Sequence, residues 1–324
     1  MNKDTPVTCY FSDNDRFADF INALCRTIVL HGDDLSEADS MTGILSSLPS
    51  SGISKKRWKL QKKYRDIIKK AAFGMNFVMI GLENQSQVHY LMPLRAMAYD
   101  VGEYEKQAHI IKKKIRKMKG LSSAEFLSGF LKTSRLHPCI TFVLNWGDLW
   151  DGARDLHGLL NFENIPPELR KFINNYPLHI VNVREFENMD LFQTDLKQVF
   201  NFVRCSDDKE KLKQLVESDS YYLGMEEDAY DVVATFTHAE KLISTKKEYM
   251  EGGKVNMCKA LTELIADGRD EGISIGRSEG ISIGREERTR ELIQKKLAKG
   301  KSISVIADEL EETEAEIKRL MKAM

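Results

Sequence analysis

Tyr64-Arg65-Asp66-Ile67-Ile68-Lys69-Lys70-Ala71-Ala72-Phe73-Gly74-Met75-Asn76-Phe77-Val78-Met79-Ile80-Gly81-Leu82-Glu83-Asn84-Gln85 holds two apolar runs on either side of a glycine. Phe77 to Leu82 has strand length and no polar alternation, the pattern of a strand covered on both faces. Gly74 suits a turn, so the stretch predicts a β-hairpin. Antiparallel partners have a constant index sum, and a turn centred between Gly74 and Met75 sets Asp66 opposite Glu83. Directly opposed side chains stand about 5 Å apart at Cβ. Gln85 follows Glu83 on the same face, because side chains alternate with period two. A carboxylate ending an apolar strand is costly unless it is paired or holds a metal; the plainer alternative is a solvated strand end.

Upstream, Phe17, Phe20, Ile21, Leu24 and Ile28 recur at helical spacing, which predicts a helix over 12–30 opened by Ser12 with Asp15. Asp15, Asp19 and Asn22 form a second, polar stripe that faces either solvent or a site. Residues 31–53 are rich in Asp, Ser and Gly and read as a loop with at most one short helix near 36–45. Residues 54–63 are basic without a clear period.

Downstream, Pro93 opens a helix running to about Lys119, with Gly120 as its stop. Cys139–Leu144 and Leu178–Val183 read as further strands. Strands alternating with helices make the class α/β or α+β, with α/β taken as the expectation, and beyond residue 195 the chain is mostly helical and charged. The expected division is a core over 1–200, a helical extension over 201–265, and a glycine-repeat connector with terminal helices over 266–324. Within the last, EGISIGRS and EGISIGRE stand in tandem at 271–286, with glycines at 268, 272, 276, 280 and 284. Each glycine costs a helix about 1 kcal/mol, so the repeat is a closely packing helix or a flexible connector. Two short helices close the chain, one near Ser302–Leu310 and one opened by Thr313 with Glu316, resembling a helix-turn-helix or a partner-binding cap.

With 324 residues, 42% hydrophobic, 30% charged and net charge −1, the composition is that of an ordinary globular chain and excludes a polycationic nucleic-acid coat. Phe77–Leu82 is far short of the roughly 20 residues a bilayer needs, and the first residues lack a secretory pattern, so a cytoplasmic, non-membrane protein is expected. Cys9, Cys25, Cys139, Cys205 and Cys258 are scattered, odd in number and never C-x-x-C, and read as reduced, mostly buried thiols. The histidines show no metal-ligand spacing. There is no glycine loop of the P-loop kind, so no nucleotide cofactor is indicated.

Tyr64-Arg65-Asp66-Ile67, Ile80-Gly81-Leu82-Glu83-Asn84-Gln85-Ser86, Met92-Pro93-Leu94-Arg95-Ala96-Met97-Ala98-Tyr99-Asp100 and Tyr104 resemble the recombination-promoting nuclease (Rpn) family. So do Pro138–Gly147, Trp150-Asp151-Gly152 and the C-terminal repeat, so the likeness spans nearly the whole chain. It implies a restriction-endonuclease-like mixed sheet flanked by helices, with PD-(D/E)xK chemistry on DNA linked to recombination or mobile elements. Asp66 would fill the PD position, Glu83 the acidic position and Gln85 the lysine slot, with Asp19 as an optional further acid. Arg65 stands where the motif has proline. Mg²⁺, or Mn²⁺ in its place, would be held by Asp66, Glu83 and Asp19; such ions usually take one or two carboxylates plus water and phosphate oxygens. Losing one preorganised donor with the lysine costs roughly 3 kcal/mol.

Arg95 and Tyr99 lie one helical turn apart and are candidate DNA contacts, or else one salt-bridged helix face. Lys55-Lys56-Arg57, Lys62-Lys63, Lys69-Lys70 and Lys112-Lys113-Lys114 are candidate phosphate contacts, or solvated faces. The other class of function is a nuclease-like scaffold without catalysis that docks DNA or protein. The C-terminal helices would then mediate assembly into a homo-oligomer.

Overall fold

The computed structural model describes residues 4–47, 58–237 and 240–322. Two compact units divide the chain, Met1–Cys258 and Lys259–Met324. The helical stretch from 201 to 258 therefore belongs to the first unit.

In the first unit the polar stretch before the hairpin differs most from expectation. The helix expected over 12–30 is the shorter α2 (Asn14–Cys25), and an unexpected helix, α1 (Asp4–Ser12), precedes it. Asp13, not Ser12, caps α2 by accepting the Arg16 backbone N–H, and Arg26 ends it in the left-handed region. The expected loop instead carries β1 (Leu35–Glu37) and β2 (Met41–Ser47), and the basic stretch carries β3 (Trp58–Tyr64). β2 and β3 pair antiparallel as a separate ribbon.

The hairpin itself is β4 (Ile67–Phe73) and β5 (Asn76–Gln85), turning through Gly74 at φ 61°. Ile67 pairs with Leu82 and Phe73 with Asn76, which is the register anticipated above. Then α3 (Met92–Ile115) carries Pro93 in its first turn and ends before the expected Lys119. After α4 (Ser123–Ser128), β6 (Cys139–Asn145) returns parallel to β5. Beyond α5 (Pro167–Arg170), β7 (His179–Asn182) lies parallel to β6. The result is a five-stranded mixed sheet in the order β1-β4-β5-β6-β7.

Strand parity assigns the layers. Lys69 and Ile80 share the face that meets α1 and α2, since the Lys69 ammonium reaches Ser12 and Asn14. Glu83, three residues from Ile80, faces α3. The first face is packed with aromatics: Trp146 stacks on Phe236 and meets Phe200, while Phe20 and Phe186 close the cluster. Each such fully buried ring contributes about 2–3 kcal/mol. On the α3 face, Met92, Ala96, Val143, Trp150 and Leu178 form the core.

Four helices complete the unit: α6 (Leu196–Cys205), α7 (Lys209–Ser218), α8 (Glu227–Phe236) and α9 (Glu240–Thr245). A small sheet of β8 (Met225–Glu226), β10 (Lys254–Val255) and β9 (Met250–Glu251), in that order, was not anticipated. None of the five cysteines forms a disulfide, and Cys9 and Cys25 are exposed, which corrects the expectation of mostly buried thiols.

The glycine repeat is neither a connector nor a break, since α10 (Met257–Ala298) runs through it for 42 residues. Its isoleucines 273, 275, 281 and 283 are 51–58% exposed, and the repeat glycines have open space where a Cβ would stand. In the second unit, α11 (Ile303–Leu310) is capped by Ser302 and α12 (Glu314–Lys322) follows across a tight turn. Ile293, Ile306, Ala307, Ile317 and Leu320 form its core. Lys296 and Lys301 both pair with Glu309, and Arg319 with Glu316, so each of these cations already has an acidic partner. Among the described residues no helix is long and apolar enough to cross a membrane.

Candidate functional site

The hairpin's open end lies under α3 and collects charge. Asp66, just before β4, accepts the Asn84 backbone N–H at 2.8 Å, which ties it to the strand carrying Glu83. Glu83 is fully buried. One of its oxygens faces Arg95 Nη2 at 3.3 Å, while Oε1 has no hydrogen-bond partner. Burial pushes the Glu83 carboxyl up to about 8, and the Asp66 charge adds to the rise, although Arg95, Arg65 and the Asp66 backbone amide pull it down. The two carboxylates are thus electrostatically coupled, while the paired register itself ends one step earlier, at Ile67 opposite Leu82.

Arg95 and Tyr99 stand as predicted, one turn apart on α3, with Arg95 Nη2 donating to the Tyr99 hydroxyl at 2.9 Å. The Arg95 guanidinium spans Glu83 and Tyr99, so the salt-bridged face is the arrangement present. Burial, and then the Glu83 charge, raises the Tyr99 phenol above its ordinary range, so it stays protonated.

Arg65 belongs to the site, which its reading as a neutral stand-in for proline missed. Its side chain is buried and crosses over Gly81, where a Cβ would lie 2.7 Å from Arg65 Cδ and Nη1. Hence a glycine occupies the middle of β5 for close approach, not for a turn. Arg65 Nη2 reaches Asp100 Oδ1 at 2.5 Å, an oxygen that also accepts Thr141 Oγ1 at 2.7 Å. The Tyr176 hydroxyl donates to the other Asp100 oxygen. Cys139 lies in the same network, and burial pushes its thiol up to about 12. The one sequence signal for Arg65 was the odd glycine at 81.

Asp19 does not join the pair. Its carboxylate accepts the Gln193 and Thr194 backbone N–H groups and the Thr194 hydroxyl, at 2.6–3.0 Å, pinning the chain ahead of α6. Asn22 clasps Leu30 through two 2.8 Å bonds. Among the described residues no group of three or more His, Cys, Asp or Glu side chains converges on a metal position.

Lys69 is corrected as a phosphate contact, being 0% exposed, with its ammonium on Ser12 O at 2.6 Å, on Asn14 and on Glu37 at 2.8 Å. Lys70 lies over the Phe77 ring. Lys112, Lys113 and Lys114 are exposed on the last turn of α3. Lys62 and Lys63 lie on β3 opposite Gly43 and Thr42, and Lys55, Lys56 and Arg57 fall outside the described residues. Gln85 is half-buried, and its Nε2 donates to the Asn84 carbonyl at 2.9 Å.

Comparison with protein-family models, with curated proteins and with solved structures gave no match for this chain.

Proposed function

We propose that this chain is a metal-dependent DNA endonuclease with a restriction-endonuclease-like core, of the kind that the resemblance to the Rpn family implies. The observation that carries the reading is Glu83: a fully buried carboxylate coupled to Asp66, with one oxygen unpartnered. Nothing in apolar packing rewards a buried acid with an idle oxygen. A hard cation does, and two carboxylates are enough for Mg²⁺ or Mn²⁺ that keeps part of its water shell. The mixed sheet flanked by helices on both faces is consistent with such a core.

Asp66 and Glu83 would hold the ion, and Asp19 would not. When bound, such an ion lowers the pKa of water and offsets charge on a phosphodiester. The chain's own groups do the rest. Asn84 N–H fixes the Asp66 carboxylate, and Arg95 holds Glu83 and presents a partly exposed guanidinium beside the pair. Gln85 supplies an amide where a lysine would supply a cation, and orients water without adding charge. Arg95, with Lys62, Lys63 and the exposed lysines of α3, would grip the DNA backbone, and the C-terminal helices would join copies into a homo-oligomer.

The test is nicking of supercoiled plasmid with Mg²⁺ or Mn²⁺ by the full chain beside Asp66→Asn and Glu83→Gln. Metal-dependent nicking lost in both variants supports the enzyme. Equal DNA binding without cleavage in all three supports the scaffold, the reading favoured by Gln85 in the lysine slot and by the lack of a third acid among the described residues.

A further inference from the structure

Gln85, Asn145 and Asn182 stand in direct register across the C-terminal ends of β5, β6 and β7. Ligands of open α/β sheets gather at such strand ends. Parity puts all three amides on the α3 face with Glu83.

The polarity of this row is set by groups that can only accept. Asn182 Nδ2 donates to the Glu185 carboxylate at 3.2 Å, so Asn182 turns its oxygen inward. That oxygen accepts Asn145 Nδ2 at 3.0 Å, and the same Nδ2 donates to the Asp148 backbone carbonyl at 2.6 Å. Neither acceptor tolerates a flipped Asn145 amide. Asn145 Oδ1 must therefore point away from both. It is buried in a side chain 1% exposed and has no hydrogen-bond partner.

Gln85 lies directly across from it, half-buried, with one N–H of Nε2 on the Asn84 carbonyl. An amide nitrogen carries two donors. We infer that Asn145 is a positioning residue: when the Gln85 side chain turns toward it, the unpartnered Oδ1 takes the second N–H of Gln85, and the Asn182–Asn145–Gln85 row then holds Gln85 Oε1 outward as an acceptor beside Asp66 and Glu83. The inference rests on the site proposed above and refines it. It explains how a neutral amide can serve in the lysine slot, since a fixed acceptor orients a water O–H where a freely rotating amide would not.

The test compares Asn145→Leu with Asn145→Asp in the full chain. Both lose the donors to Asp148 and Asn182, but Asp keeps an oxygen for Gln85. Side-chain amide hydrogen exchange of Gln85, its resonance assigned by its absence in Gln85→Leu, gives a readout independent of turnover. The expected result is a protected Gln85 amide in the wild type and in Asn145→Asp, and loss of protection in Asn145→Leu. Single-turnover nicking is expected to fall by about tenfold to a hundredfold in Asn145→Leu and not further when Gln85→Leu is already present. The inference is overturned if Asn145→Asp loses the protection or if Asn145→Leu leaves it intact, the latter showing that water or nothing fills Oδ1. Should Asn145→Leu fail to fold, Asn145→Ala, which also lacks the oxygen, takes its place with the same expected loss of protection. Absence of nicking in the wild type would sink the enzyme reading while the exchange result still decides this one.

Discussion

Replacing Glu83 by Gln separates the cost of the site from its use. The Glu83 carboxyl rises from its ordinary 4.5 to about 8, chiefly through burial. Its folded pKa exceeds its unfolded one, so between the two values the folded chain binds more protons. Stability is then highest below the unfolded pKa and falls as pH rises toward the folded one. At about 1.4 kcal/mol per unit, a rise from 4.5 to about 8 amounts to about 5 kcal/mol lost by the alkaline end of the window. Gln cannot ionise, and the attraction of Arg95 for the charged form is already contained in the folded value. Glu83→Gln is therefore expected to match the wild type near pH 5 and to exceed it by up to about 5 kcal/mol near pH 9 without metal. Urea unfolding followed by tryptophan fluorescence measures this, since Trp58, Trp146 and Trp150 all lie in the first unit. Mg²⁺ at a hundred times its Kd should restore about 2.7 kcal/mol to the wild type alone. A wild-type stability flat across this window, or a variant weaker at the alkaline end, would show that ionising Glu83 carries no such cost.

Other perturbations follow from the same geometry. Gly81→Ala puts a Cβ 2.7 Å from Arg65 atoms and is expected to cost about 1–3 kcal/mol by overpacking, with more if the Arg65–Asp100 pair breaks; urea midpoints measure it. Arg95→Ala removes a charge that lowers the Glu83 pKa. Mn²⁺ binding by this variant should therefore begin at higher pH than in the wild type, and an unchanged midpoint would count against the Arg95–Glu83 coupling. Replacing Gly272, Gly276 and Gly280 by Ala, where open space awaits each Cβ, should raise helix stability by up to about 1 kcal/mol per site. Far-ultraviolet circular dichroism on heating checks this.

The parts of the fold visible in the amino-acid sequence are those set by neighbours along the chain. The β4–β5 register followed from one glycine and an index sum, and it brought Asp66 close enough to couple to Glu83, while one helical turn of α3 joined Arg95 to Tyr99. The Gln85–Asn145–Asn182 row emerges only once β5, β6 and β7 are known to be parallel and in register. Asp19 shows the limit of helical spacing: its polar stripe was visible, but its partners lie some 175 residues away. Lys69 sits in a basic run that looks solvated, yet strand parity turns it inward beneath α1 and α2. β1, β2 and β3 were hidden because serine, threonine and lysine dilute any apolar alternation.

Calorimetric titration of Mn²⁺ into the full chain above pH 8, beside Asp66→Asn and Glu83→Gln, bears most directly on whether these two carboxylates share one ion. A saturable site in the wild type that disappears in each variant is the predicted result. Binding that survives in both variants, or no binding in the wild type at millimolar metal, would contradict it.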